Sequence, residues 1–158
     1  MTFPVVVQLT PAELSFALTV ASQRLASSPA NDRFLARTVS PFGSHYAGVM
    51  AELAAAKVLG GKVDQRVLRQ GDRHAPDFVD REGRAIETKA ILWAGRDPYL
   101  KLTQDELIPD RWYVPVRLQW PDSCQVFDAI PYADAKKGVR KNFGYGERLC
   151  IPIREEAA

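Results

Sequence analysis

Cysteine and histidine are both scarce: the 158 residues contain two of each. Cys124 and Cys150 are too few for a disulfide framework and do not sit at metal-knuckle spacing. Both fall in apolar, strand-like contexts where a buried free thiol is the default, so a reducing compartment is expected. His45 and His74 form no zinc-binding pattern, and no glycine-rich loop ending in lysine is present to cradle a nucleotide phosphate. No basic stretch leads into a long apolar run at the N-terminus. Secretion and membrane insertion therefore find no support, and a cytoplasmic protein with no membrane partner is expected. A strong charge of one sign is also missing. The net charge is +2 and the pI about 8.6, too mild to demand a polyanionic partner and too positive to repel one.

What is present is the composition of an ordinary globular domain, with 46% hydrophobic and 25% charged residues. The length suits a single domain. Phe3 to Leu9 reads as a strand. Thr10-Pro11-Ala12-Glu13 then opens a helix, with a hydroxyl cap, proline in the first turn and glutamate three residues after the cap. Helical spacing continues to Ser28, and this unit (1–40) reads as an addition in front of a core spanning 41–133. A second helix is expected from Pro41 or Ser44 to Leu59, stopped by Gly60-Gly61. Strands are expected at Val63–Leu68, Pro76–Asp80, Arg84–Leu92, Tyr99–Leu102, Trp112–Trp120 and Gln125–Pro131. A capping box at Thr103–Glu106 opens a short helix. Residues 134–158 form a basic C-terminal segment. From Asp134 to Arg148, Lys136, Lys137, Arg140, Lys141 and Arg148 outnumber the acids by three, with Phe143 and Tyr145 interleaved.

The segment Asp77 to Lys89 carries the chemistry. If Arg81-Glu82-Gly83 is a hairpin loop, its third position needs the left-handed conformation that glycine supplies. The strands then pair Val79 with Ala85, Phe78 with Ile86 and Asp77 with Glu87. Opposed residues share a face, as do residues two apart on one strand, so Asp77, Glu87 and Lys89 converge. Two opposed carboxylates repel, and a divalent cation between them would relieve that. Hard oxygen donors at roughly 2.0–2.1 Å are what magnesium takes. A shorter or longer loop would instead put Asp77 and Glu87 on opposite faces. Glu52 adds a further carboxylate. Its helical neighbours at three and four residues are small and apolar, so no ion pair within the helix explains it.

Pro76-Asp77, nine intervening residues and Glu87-Thr88-Lys89 resemble the PD-(D/E)XK signature of the restriction-endonuclease-like nucleases. The helix carrying Glu52 and the strand order after it look like that superfamily's core over roughly Ser44 to Tyr132. The ending Phe143-Gly144-Tyr145-Gly146-Glu147-Arg148 looks like that of small phage and bacterial members. The resemblance implies an α/β fold, a central mixed sheet flanked by helices, with the N-terminal helix as an addition. It also implies a nuclease that hydrolyses phosphodiester bonds, with DNA the expected substrate. Asp77 and Glu87 would hold magnesium (or manganese), joined by the carbonyl of Thr88 and by Glu52, directly or through water. Lys89 would position or help deprotonate water and stabilise charge on the phosphate.

Arg73, His74, Lys101, Gln104, Lys136, Lys137, Arg140, Lys141 and Arg148 are the candidate nucleic-acid contacts, positioning the backbone without reading sequence. Lys101 and Gln104 would approach the cleft if strand 99–102 neighbours the hairpin. Trp93, Trp112, Trp120 and Tyr99 read as core or rim aromatics. Two cuts in a duplex would favour a homodimer. Two rivals stay open: a nucleic-acid-binding module that kept the fold without cleavage, and a structural or phage-assembly protein.

Overall fold

The computed structural model describes residues 1–27, 41–63, 75–92, 99–144 and 146–153. Arg73, His74, Trp93, Tyr145, the tail from Arg154 and nearly all of the expected strand at Val63–Leu68 lie outside the described residues. In chain order the elements are β1 (Val5–Gln8), α1 (Pro11–Ser27), α2 (Pro41–Leu59), β2 (Phe78–Val79), β3 (Ala85–Ile91) and β4 (Tyr99–Leu102). A 3-10 turn at Gln104–Glu106 leads into β5 (Arg111–Gln119), β6 (Ser123–Val126) and β7 (Ile130–Pro131). The chain closes with α3 (Tyr132–Ala135), β8 (Val139–Asn142) and β9 (Glu147–Pro152).

Local chemistry sets the helix limits. At the start of α1 the Thr10 amide donates to Glu13 Oε2 at 2.7 Å and the Glu13 amide donates to Thr10 Oγ1 at 3.2 Å, a complete capping box. Helix α2 stops where Gly60 turns to φ +72°, its amide donating to the Ala56 carbonyl. Alanine fills the middle of α2: Ala47, Ala51, Ala54 and Ala55 are all buried. A helix apolar on every side belongs in an interior. Here α1 packs on one side of α2, and β3, β5 and β6 lie on the other.

The central sheet runs β1-β6-β5-β3-β2, with β7 also pairing β5. Strands β3 and β5 are parallel and the other pairs antiparallel, so the sheet is mixed and the fold is α/β, as expected from the sequence. Strand β5 alternates: Val114, Val116 and Leu118 enter the core shared with α1 and α2, while Tyr113 enters a second core. That second face is covered by the short α3 and by a separate sheet of order β4-β9-β8, rather than by further long helices.

The N-terminal segment is integral to this arrangement. Strand β1 forms an edge of the central sheet, and Ala17, Val20 and Ala21 of α1 are buried. The basic stretch after Asp134, read from sequence as a basic C-terminal segment, contributes β8 and β9. All four residues of β8 are exposed, whereas Cys150 and Ile151 of β9 are buried. Both cysteines are free and buried, as expected, and burial pushes the Cys124 thiol up to about 12. Among the described residues no helix is long and apolar enough to cross a membrane.

Candidate active site at the edge of strand β3

The hairpin forms with two of the three expected pairs, and its ladder ends before the expected pair of Asp77 with Glu87. Phe78 opposes Ile86 and Val79 opposes Ala85, while Gly83 adopts φ +79°. Asp80 organises the loop: its Oδ1 accepts from the amides of Glu82 and Arg84, and its Oδ2 accepts from Arg84 Nε at 2.7 Å. Those bonds, with the Arg84 cation beside it, hold the Asp80 carboxyl below its usual range despite burial. The loop is also latched to α2. Arg81 Nε donates to the Leu59 carbonyl at 3.1 Å, placing a cation at the helix C-terminus.

Asp77 lies at the end of this ladder. Its amide donates to the Ile86 carbonyl, and its Oδ2 accepts from both the amide and the hydroxyl of Thr88, at 2.7 and 2.8 Å. Thr88 is therefore the residue that aims Asp77. On β3, Ile86 is buried against the helices, so the alternation sends Glu87 and Lys89 to the opposite face, beside Tyr113 and Pro115 of β5. There Glu87 Oε2 accepts from Arg111 Nη1 at 3.1 Å, and Lys89 Nζ sits 3.5 Å from Glu87 Oε1.

Glu106 completes this cluster. Its Oε1 accepts from Lys89 Nζ at 2.8 Å while its Oε2 accepts from the Thr103 amide at 2.8 Å. From sequence Glu106 is only a capping residue, and the capping box is its only local signal. Arg111 gives none, because its partner Glu87 lies on a different strand. Burial works against the Lys89 ammonium, but Glu106 and Glu87 outweigh it and hold its pKa above the usual lysine value. The same pairing holds Glu106 low against its own burial.

Glu52 comes to the site from α2. It has a partner that a search along α2 could not reveal. Arg24 of α1 donates to both its oxygens, at 2.7 and 3.0 Å. Burial is still the largest influence on Glu52 and, with the charges of Asp77 and Glu87, pushes its pKa up to about 7. Glu87 is likewise pushed up to about 7 by burial and by Asp77, against the pull of Lys89 and Arg111. Asp77 is thus the common neighbour: its charge acts on Glu52, Glu87 and Lys89.

The side-chain donors are carboxylate oxygens, the hard donors that magnesium takes, so the set fits a divalent cation in chemical type. Among the described residues they do not stand as a preformed group of three ligands; each carboxylate is turned onto its own protein partner.

The candidate nucleic-acid contacts separate into groups. Lys101 shares a cavity of about 210 Å³ with Lys89, lined also by Ala90, Ile91, Leu92, Tyr99 and Leu100. Gln104 is turned toward Arg140, which also pairs with Glu147 at 2.8 Å. Lys137 pairs with Asp134 at 3.3 Å, and Lys136 stands over the Tyr132 ring. Lys141 stands over the Tyr99 ring and Arg148 donates to the Glu147 carbonyl. Trp112 packs against the main core beneath Arg84, whereas Trp120 is exposed and stacked on Tyr46. No protein-family model matches the chain, and no curated protein matches it.

Proposed function

We propose that the chain is a metal-dependent nuclease of the PD-(D/E)XK type, cleaving phosphodiester bonds in DNA with magnesium or manganese. One observation carries this reading: Asp77 is bonded to Thr88, which stands between Glu87 and Lys89 on β3, and Lys89 Nζ lies 3.5 Å from Glu87 Oε1, so two carboxylates and an ammonium meet at one end of the hairpin. Buried carboxylates raised to about 7 by burial and mutual repulsion cost stability, and functional sites are where such costs concentrate. Asp77 and Glu87, with the Thr88 carbonyl, would hold the cation, and Glu52 would join directly or through water. A cation held there supplies Lewis-acid polarisation of the phosphate and activation of water. Thr88 aims Asp77, and Arg111 orients Glu87. Lys89 is kept as an ammonium by Glu106 and Glu87, which suits it to hold a phosphate oxygen and offset charge there. It is poorly suited to take a proton from water. Lys101, Lys141 and Arg148 are the backbone contacts this reading favours.

A second reading, a domain that binds nucleic acid without cutting, draws on the guanidiniums of Arg24 and Arg111, which already compensate Glu52 and Glu87. Incubating the full chain with plasmid DNA and magnesium, manganese or EDTA separates the two. Cleavage that needs the cation and is lost in Lys89→Ala and Asp77→Asn is expected. Binding without cleavage, unchanged in Lys89→Ala, would overturn the nuclease reading. Manganese at about 100 times its Kd should add about 2.7 kcal/mol, a rise in Tm of roughly 5–10 °C for a domain of this size. Asp77→Asn should abolish that rise.

A further inference from the structure

The small sheet has two unlike faces. In its register Leu102 opposes Leu149, which opposes Arg140; Leu102 and Leu149 turn toward the second core, and Arg140 meets Glu147 and Gln104 at the exposed edge of that same face. The other face takes Tyr99 and Lys101 from β4, Arg148 from β9 and Lys141 from β8. None of the strand residues described on that face is acidic, whereas an ordinary solvated surface mixes both signs. Lys141 Nζ lies 4.3 Å from the centre of the Tyr99 ring, and Lys101 Nζ lies 4.2 Å from that of Phe143, just past β8. Both contacts reach across β9, and Cys150 lies between them, fully buried.

We propose that this outward face binds a single-stranded polynucleotide and leads it along β4 to Lys89. Cations paired with aromatic rings offer what a single strand presents, a phosphate and an unstacked base face. A duplex shows its phosphates but keeps its bases stacked, and would leave the rings unused. Each lysine can swing on its flexible stem to a phosphate while a base takes its place on the ring. The cavity of about 210 Å³ that joins Tyr99 and Lys101 to Lys89 continues this surface. It is smaller than the roughly 300–1,000 Å³ of sites that enclose a whole small ligand, which suits a base or phosphate of a chain passing through. The path toward Lys89 rests on the nuclease reading; the binding of the strand does not.

The test is fluorescence anisotropy of the full chain in EDTA, with labelled oligo(dT), oligo(rU) and a duplex of equal length. Oligo(dT) or oligo(rU) should bind more tightly than the duplex, and which of them binds better identifies the strand type. Phe143→Leu and Tyr99→Leu should each weaken that binding by about tenfold, with Tyr99→Phe restoring it. Removing two phosphate contacts in Lys101→Gln/Lys141→Gln should reduce the slope of log K against log salt by about 1.4. Should Tyr99→Leu fail to fold, Phe143→Leu and the exposed Lys141→Gln still decide. Equal or tighter duplex binding, no binding at low salt, or indifference to Phe143→Leu and Lys141→Gln in folded variants would overturn the proposal. Cleavage without this binding would sink it and spare the nuclease; binding without cleavage would do the reverse.

Discussion

Glu52 and Glu87 both keep their protons to about pH 7, against an ordinary value of 4.5. For Glu52 the first cause is burial in α2 against the sheet; Glu87 adds the charge of Asp77 across the hairpin. A carboxyl with a raised folded pKa binds its proton more tightly folded than unfolded. Between about pH 4.5 and 7 the folded chain therefore holds more protons, and stability falls as pH rises through that window. Asp80 and Glu106, held low by Arg84 and Lys89, act oppositely and only in acid, below their ordinary carboxylate range. Melting temperature should thus peak near pH 5 and decline toward pH 8, and the decline should be shallower in Glu87→Gln. Circular dichroism melts across the range check this; equal slopes in both proteins would remove the basis for a strained carboxylate cluster. How much of the site was legible follows from the same residues. Asp77, Glu87 and Lys89 could be placed together because a single turn glycine fixes their register. Glu106 and Arg111 could not, because they reach Glu87 and Lys89 from other elements.

At the scale of elements, the hairpin is joined to the end of α2. Arg81 closes the helix carbonyls of Val58 and Leu59, and Gly61 lets β2 pass against the chain just after the helix. A Cβ on Gly61 would meet the Phe78 ring and lie 2.9 Å from the Val79 carbonyl, backbone that cannot move aside cheaply. Gly61→Ala should cost about 1–3 kcal/mol, as overpacking of a close contact does. Because Asp77 immediately precedes β2, the variant should also lower manganese affinity, measured by titration at a temperature where it stays folded. Full stability would show that β2 is free of α2. The Gly60-Gly61 stop was readable as a helix end; its second role, as the contact with β2, needs the tertiary structure. The Arg24–Glu52 pair was likewise invisible, since the arginine is on α1 and the glutamate on α2.

Across the whole molecule, Tyr113 connects the second core to the site. The central sheet was legible because β5 is a long, largely apolar run, because the turn glycine Gly83 marks the β2–β3 hairpin, and because the capping boxes mark where the chain turns. The second sheet was not. Strand β8 is exposed at every residue and carries no apolar alternation, and β4 finds its partner β9 almost fifty residues later. Tyr113 lies fully buried in the core under that second sheet, yet on β5 it stands beside Glu87. Its hydroxyl donates to the Glu106 carbonyl at 2.8 Å and accepts from the Ile108 amide at 2.7 Å, tying down the turn that presents Glu106 to Lys89. Tyr113→Phe keeps the ring and its packing but leaves a backbone donor and an acceptor without the hydroxyl. The loss should be about 1–3 kcal/mol, or roughly 2–12 °C in Tm. If the turn positions Lys89 through Glu106, cleavage should fall by more than this loss of folded protein accounts for, with kcat affected rather than KM. A variant that loses stability but cleaves at the wild-type rate would confine Tyr113 to the core and leave the second sheet uncoupled from the chemistry.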